Sequence, residues 1–385
     1  MEYELHIPST LMIGGGTSKK AGSLAAQLGM KKILLVSDKY LESTGMVSTY
    51  VEILEQAGIE PTIFTDIESE PEVGNVLDAL KAITMNQCDG IISIGGGSSI
   101  DTAKAVSVMA TNGGEMSDYM GTGKVPQKGL PHIAILTTAG TGSEATRVTI
   151  ITDTVKNVKM MCLDNAFLPA AAIVDYELTM TMPKSLTSFV GIDALTHAIE
   201  AYVSRKANTV SDIFAKKAIE LISGSIMTAY NSPSDATARS AMMEGATFGG
   251  IAFSNASVCA VHGMSRPIGA HFHVAHGLSN AMLLPLVTQY SIEGNCARYA
   301  EIASIMGLRG TGEEELAEAL VKKLQEFNKQ MQVPNPAGYG IDKDRYMNVL
   351  ADMADAAIES GSPGNNPKLF SKDEIINLYK IVYDA

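Results

Sequence analysis

Four cysteines stand in 385 residues, at Cys88, Cys162, Cys259 and Cys296, with no paired spacing, and so thin a scatter excludes a disulfide framework. Basic residues are outnumbered, 29 against 42 acidic, and the net charge of −13 disfavours nucleic acid or an anionic membrane as a partner. The leading Met-Glu-Tyr-Glu-Leu has neither a basic head nor an apolar stretch, so no signal peptide is expected. Low-complexity segments and internal repeats are absent. Charge is missing from one long region: between Gly245 and Ile292 the single Asp, Glu, Lys or Arg is Arg266. The uncharged run ahead of Arg266 is long enough to span a bilayer, but His262, Asn255 and several serines and glycines make it a poor lipid-facing helix. What remains is a soluble, cytoplasmic protein of ordinary composition, 46% hydrophobic and 18% charged, long enough for two domains.

The first half alternates short apolar runs with amphipathic segments. Strands are predicted at Lys32 to Val36, Thr62 to Thr65, Gly90 to Ile94, His132 to Leu136 and Ala171 to Val174, with helices over Lys19 to Leu28, Val47 to Ala57, Val73 to Met85 and Ser99 to Met109. Continuous apolar strands separated by helices imply a parallel sheet covered on both faces. After Pro183 the strands stop. Helical periodicity then runs through Thr187 to Arg205, Thr209 to Asn231, Ala236 to Ala252, Leu278 to Ser291, Cys296 to Met306, Glu313 to Gln330, Lys343 to Ala357 and Lys372 to Val382. The expected fold is an α/β N-terminal domain, residues 1–183, with a Rossmann-like parallel sheet, followed by an all-α C-terminal domain, residues 184–385.

Histidine is scarce, with seven in the chain, yet four of them (His262, His271, His273, His276) fall between Val258 and His276. A fifth, His197, follows Asp193 by four residues in a stretch of helical apolar spacing, which sets both side chains on one helix face about 6 Å apart. His262 and His276 each precede a glycine. Three neutral imidazoles and one carboxylate form a borderline donor set that suits Fe(II), Zn(II), Co(II) or Mn(II) and leaves room for a substrate oxygen. Singly, an Asp/His pair is more often a surface hydrogen bond, and a lone histidine a satisfied core residue. Here the surroundings are almost free of charge, and buried polar groups must be paired.

The strand ending at Ile94 runs into Gly95-Gly-Gly-Ser98 and then into a helix, the order in which glycines admit an anion to a helix N-terminus. A second loop, Leu136-Thr-Thr-Ala-Gly-Thr-Gly-Ser-Glu-Ala145, also follows a strand and is rich in hydroxyls. Asp38, beyond the strand Lys32 to Val36, stands where an acid bonds a ribose 2′-hydroxyl and repels a 2′-phosphate, which favours NAD over NADP; an Asp there is also a common helix N-cap. Gly14-Gly-Gly16 is expected to form a hairpin turn after a short N-terminal strand, and Gly121-Thr-Gly-Lys124 lacks the hydroxyl residue of a P-loop.

Gly95-Gly-Gly-Ser98, Thr137-Thr-Ala-Gly-Thr-Gly-Ser-Glu144, Gly191-Ile-Asp-Ala-Leu-Thr-His-Ala-Ile-Glu200 and His262 with His276-Gly-Leu-Ser-Asn-Ala-Met-Leu-Leu-Pro285 resemble the iron-containing (group III) alcohol dehydrogenases over nearly the whole chain. Members of that family include lactaldehyde reductases and 1,3-propanediol and butanol dehydrogenases. The resemblance implies that family's fold, shared with dehydroquinate synthase, and Fe(II), with Zn(II) the alternative, on Asp193, His197, His262 and His276. It implies NAD with its pyrophosphate on Gly95, Gly96, Gly97 and Ser98, flanked by Thr137, Thr138 and Thr141, with Lys159 at the nicotinamide ribose and Phe253 lining the substrate pocket. It also implies a homodimer or higher oligomer through the strand Tyr3 to Ile13, and a site at the domain boundary acting on a small alcohol or aldehyde.

Two departures from the family stand out. Glu68-Ser-Glu-Pro-Glu-Val73 lacks a common Pro-Asn-Pro, and Ser265-Arg-Pro-Ile-Gly269 puts Arg266 where many members carry histidine. An arginine stays protonated, so proton transfer would pass to His271 or His273 or to water, with His262, His276, Arg266 and His273 the catalytic candidates. Arg266 would either pair with a buried acid such as Glu200 or Glu244, or lie at the surface, or anchor the carboxylate of a short hydroxy acid or semialdehyde. A lyase resembling dehydroquinate synthase is a weaker reading, since it would need basic residues for a phosphorylated substrate.

Overall fold

A computed structural model of the chain describes residues 3–67, 70–156 and 158–385. The chain folds as two compact units, one of His6–Met180 and one of Thr181–Ala385 with which residues 3–5 group.

In the first unit β1 (Thr10–Ile13), β2 (Lys32–Val36), β3 (Glu60–Phe64), β4 (Gly90–Gly95), β6 (His132–Leu136) and β9 (Ala171–Val174) form a parallel sheet in the order β1-β9-β6-β4-β2-β3. Alternate side chains supply two cores. Leu34, Val36 and Ile91 pack with Val76 and Ala79 of α4 (Val73–Asn86) and Ala103 and Val106 of α5 (Gly97–Asn112). Ile33, Leu35, Ile92 and Ile94 pack with Leu24 of α1 (Ala21–Gln27) and Val47 and Leu54 of α3 (Met46–Gln56). Burial on both faces is why these strands read as unbroken apolar runs. From β2 the chain crosses to β3 on one side and then to β4 on the other, so the strand order reverses between β2 and β4. That switch point is where open α/β sheets bind ligands, at the carboxyl ends of the strands.

The glycines after β1 do not make a hairpin. Gly14 N–H donates to Val174 O in a parallel pairing with β9, and Gly16 and Ser18 then wrap the Asp175 carboxylate, so the segment turns into helix. A second sheet, not foreseen from the sequence, joins β7 (Val148–Asp153) and β8 (Val158–Leu163) as antiparallel neighbours with the short β5 (Gly121–Thr122) beside β8. The departure at Glu68 to Val73 falls partly outside the described residues; Glu72 caps α4.

The second unit is helical. α6 (Lys184–Val203), α7 (Thr209–Asn231) and α8 (Ala236–Ala256) are followed by α9 (Ala260–Phe272), α10 (His276–Ser291), α11 (Cys296–Ile305) and α12 (Glu313–Gln330), with shorter helices running on to Asp384. Ile192, Ala194, Leu195, Ala198, Ile199 and Ala201 bury α6 all round, as for a helix at the centre of a bundle. Small residues let its neighbours close on it: a Cβ on Gly249 of α8 would stand 3.3 Å from Ala194 O. No helix among the described residues is long and apolar enough to cross a membrane.

Inside the sheet His132 Nε2 lies 2.8 Å from Ser93 Oγ, and burial, helped by the Lys104 charge, drives the His132 pKa down to about 3. An unfolded histidine protonates near 6.5, so between about pH 6.5 and 3 the unfolded chain binds a proton that the folded chain refuses, and stability falls with acid. In urea titrations at about pH 7 and about pH 5, His132→Leu is expected to lose less stability on acidification than the unmodified protein, by up to about 2 kcal/mol. Equal losses would contradict the assignment.

Candidate metal and dinucleotide sites

Asp193 stands midway along α6, His262 in the first turn of α9 and His276 at the first position of α10. These three elements bring one ligand atom from each residue within 4.8 Å of one another. Asp193 Oδ1 is 3.5 Å from His262 Nε2 and 3.9 Å from His276 Nε2. Asp193 and His262 are buried, while the His276 side chain is 44% exposed, so the group opens to solvent on its His276 side.

The glycine after His276 has a packing reason. A Cβ on Gly277 would sit 2.7 Å from Phe189 O and 3.3 Å from Asp193 Cβ, so only glycine lets the start of α10 press against α6 at the carboxylate. A Cβ on Gly263 would likewise meet the Pro363 ring at 2.6 Å.

His197, the fourth predicted ligand, lies beside the trio. Its ring stacks on His262 with centroids 4.4 Å apart and on Phe253 at 4.3 Å, which places that phenylalanine at the edge of the group. Burial works against the Asp193 charge, but the imidazoles of His197, His276 and His262 outweigh it and hold the carboxyl well below the usual carboxylate range. Burial also works against a charge on His262, and Asp193 and Glu200 overcome it, raising its pKa.

Two further residues complete the group, and neither stood out in the sequence as part of it. Asn280, four residues into α10 from His276, directs Nδ2 at Asp193 Oδ1 (2.6 Å), His262 Nε2 (3.2 Å) and His276 Nε2 (3.2 Å). An amide nitrogen has two hydrogens, so it cannot satisfy three lone pairs at once. Asn280 Oδ1 is buried with no hydrogen-bond partner among the described residues. This excess of converging lone pairs on one carboxylate and two imidazoles fits a divalent cation. Glu200, seven residues beyond Asp193 on α6, accepts from His262 Nδ1 at 2.7 Å and from the amides that open α9.

At the sheet's switch point the predicted dinucleotide residues also meet. A Cβ on Gly96 would stand 3.6 Å from Thr138 Oγ1, and one on Gly97 would stand 3.0 Å from Thr141 Cγ2, so the two loops face each other. Thr137 N–H donates to Gly95 O. The N-cap residue of α5 is Gly96, which has no side chain to cap it, and the helix's positive end is directed at this surface. Asp38 Oδ1 caps α2 (Lys39–Ser43) by accepting from Leu41 N–H at 2.8 Å, and its Oδ2 lies 3.8 Å from the position of a Cβ on Gly95. Beneath the loops Lys104, fully buried, donates to Ser143 Oγ, Thr146 Oγ1 and Val148 O, and Ser143 Oγ donates to Asp101 Oδ1. Burial, against the pull of Asp101 and Glu144, lowers the Lys104 pKa to about 8.

Other candidates fall elsewhere. Lys159 Nζ is paired with Glu70 at 2.6 Å. His273 is exposed and forms the left-handed C-cap of α9 (φ 55°), and the His271 carbonyl accepts from Arg345. Arg266 donates to Ser362 Oγ at 3.4 Å, and its buried Nε has no hydrogen-bond partner among the described residues. Arg266 forms no ion pair with Glu200 or Glu244 among the described residues, and the carboxylate-anchor reading is not favoured.

A glycine-loop dinucleotide surface on a parallel sheet and a carboxylate–imidazole group on a helical unit are the parts of a metal-assisted oxidoreductase. Residues 8–176 match the family described as "Iron-containing alcohol dehydrogenase", and residues 187–383 match "Fe-containing alcohol dehydrogenase family, C-terminal". Among relatives, the chain is 36% identical over 377 residues to "NAD-dependent methanol dehydrogenase" of Bacillus methanolicus, covering 97% of this chain and 98% of that one. It is 34% identical over 381 residues to "NADPH-dependent butanol dehydrogenase" of Clostridium saccharobutylicum, covering 98% and 97%. A crystal structure of 1,3-propanediol oxidoreductase superposes with a TM-score of 0.96 at 33% identity, covering all of both chains. The chain belongs to the iron-containing alcohol dehydrogenase family.

Gly277→Ala is expected to force α10 off α6, with a stability cost of about 1–3 kcal/mol for the overpacking, and to separate His276 from Asp193. Metal retained per chain after dialysis should fall along with the thermal midpoint. A protein that loses stability but holds its metal unchanged would show that this contact does not set the group's geometry.

Proposed function

We infer that the protein is a metal-dependent dehydrogenase that moves a hydride between NAD(H) and a small primary alcohol or aldehyde. The observation that carries this reading is the convergence of Asp193 Oδ1, His262 Nε2 and His276 Nε2 with more lone pairs than Asn280 can satisfy. Asp193, His262 and His276, joined by His197, would hold Fe(II), and Zn(II) suits the same donors. Gly95, Gly96, Gly97 and Ser98 would hold the pyrophosphate, Asp38 the adenosine ribose, and Thr137, Thr138 and Thr141 the flank of the cofactor. Lys159 would reach the nicotinamide ribose by leaving Glu70.

An alcohol hydroxyl is too weakly acidic to ionise unaided at neutral pH. An ion held by Asp193, His262 and His276 would supply the Lewis acidity that this proton loss requires, and a nicotinamide held at the glycine loop would supply the hydride acceptor. The chain's own task is positional. Buried Asp193 and His262 fix the inner side of the group, and the exposed His276 marks the side by which the substrate enters and the proton leaves, with His273 three residues away in sequence. All four cysteines are free, which suits a reducing, cytoplasmic setting. Tyr3, Leu5 and Ile7 expose alternate apolar side chains ahead of the edge strand β1, which supports a homodimer or larger assembly through this segment.

The test is reduction of NAD with methanol, ethanol, 1-butanol, 1,2-propanediol and 1,3-propanediol, using metal-stripped protein and the same protein reloaded with Fe(II) or Zn(II). Turnover is expected only after reloading, while NADH binding, followed by its fluorescence, persists in stripped protein. Full-rate turnover by stripped protein would overturn the reading. Asp38→Gly is expected to raise kcat/KM for NADP about tenfold, equivalent to ~1.4 kcal/mol of relieved like-charge repulsion. Equal use of NAD and NADP by the unmodified enzyme would reduce Asp38 to a helix cap.

A further inference from the structure

Glu200 is buried on the same face of α6 as Asp193 and His197, and its carboxylate is surrounded by donors. It accepts from Val261 N–H at 2.6 Å, Cys259 N–H at 2.9 Å, His262 N–H at 3.4 Å and His262 Nδ1 at 2.7 Å. α9 has no side-chain cap from its own N-cap residue, so a carboxylate from another helix closes its first turn.

We propose that Glu200 is the positioning residue of the metal centre, fixing the His262 tautomer and ring so that the Nε2 lone pair faces Asp193 and His276. The proposal rests on the metal-centre reading given above. A carboxylate only accepts, so the Nδ1 that faces Glu200 at 2.7 Å carries the hydrogen. With the hydrogen on Nδ1 the neutral ring carries its lone pair on Nε2, which faces the Asn280 amide nitrogen at 3.2 Å. Nε2 also lies 3.5 Å from Asp193 Oδ1. A histidine that donates its second nitrogen to a carboxylate is both oriented and made a more basic ligand. The same four bonds tie the start of α9 to α6, so the helix that carries the ligand and the group that orients it are held by one carboxylate.

Glu200→Gln tests this, because an amide can still accept from Val261 N–H while offering an N–H2 to Nδ1, which would force the hydrogen onto Nε2 and close it to an ion. Stripped protein is titrated with Co(II), reading affinity by chelator competition and geometry by the visible absorption bands. The expected result is binding weaker by about 10–100-fold with altered bands. Binding within twofold of the unmodified protein with identical bands would overturn the proposal and leave Glu200 a helix cap. Should the variant fail to fold, nitrogen NMR of histidine-labelled unmodified protein, with the His262 signals assigned through His262→Gln, reads the tautomer directly. Hydrogen on Nδ1 is expected, and hydrogen on Nε2 would overturn the proposal. If unmodified protein bound no Co(II), the metal-centre reading would fail, a result distinct from equal binding by both proteins.

Discussion

The burial of two carboxylates on one face of α6 is the constraint on which the helical unit depends. Asp193 and Glu200 stand seven residues apart in a helix buried over most of its length, and a carboxylate there needs donors around it. Glu200 takes its donors from the first turn of α9 and from His262; Asp193 takes the Asn280 amide and faces two imidazoles. Satisfying the carboxylates therefore dictates where α9 and α10 begin. Glycine at Gly277 makes the close approach of α10 sterically feasible.

The sheet unit obeys a different constraint. Its strands are buried on both faces, so polar chemistry is confined to their carboxyl ends, and the reversal of strand order between β2 and β4 opens the surface where Asp38, Gly95 to Gly97, Thr138 and Thr141 meet. The buried Lys104 braces this surface from below through Ser143 and Thr146, with Asp101 completing the network. Lysine burial of this kind is tolerable because each Nζ hydrogen finds an acceptor.

Much of this was legible in the sequence. Strands such as Lys32 to Val36 and His132 to Leu136 are unbroken apolar runs because both faces are covered, and the ends of α7 and α12 follow their periodicity. β7 and β8 were missed because Thr149, Thr152 and Lys159 interrupt their apolar residues in a short hairpin. α9 was missed because Gly263, Pro267 and Gly269 read as helix breakers, whereas burial against neighbouring helices outweighs their propensities. The histidine cluster pointed to the metal group, but Glu200 and Asn280 did not, since their roles lie in contacts with other helices. The helical spacing of Glu200 from Asp193 and of Asn280 from His276 was the available signal.

The central claim is that Asp193, His262 and His276 converge on one ion. The most direct measurement is an anomalous-difference map at the iron absorption edge from crystals of protein loaded with Fe(II) under anaerobic conditions. A single peak bonded to Asp193 Oδ1, His262 Nε2 and His276 Nε2 is expected. A peak elsewhere, or none at this group with iron bound in solution, would contradict the account.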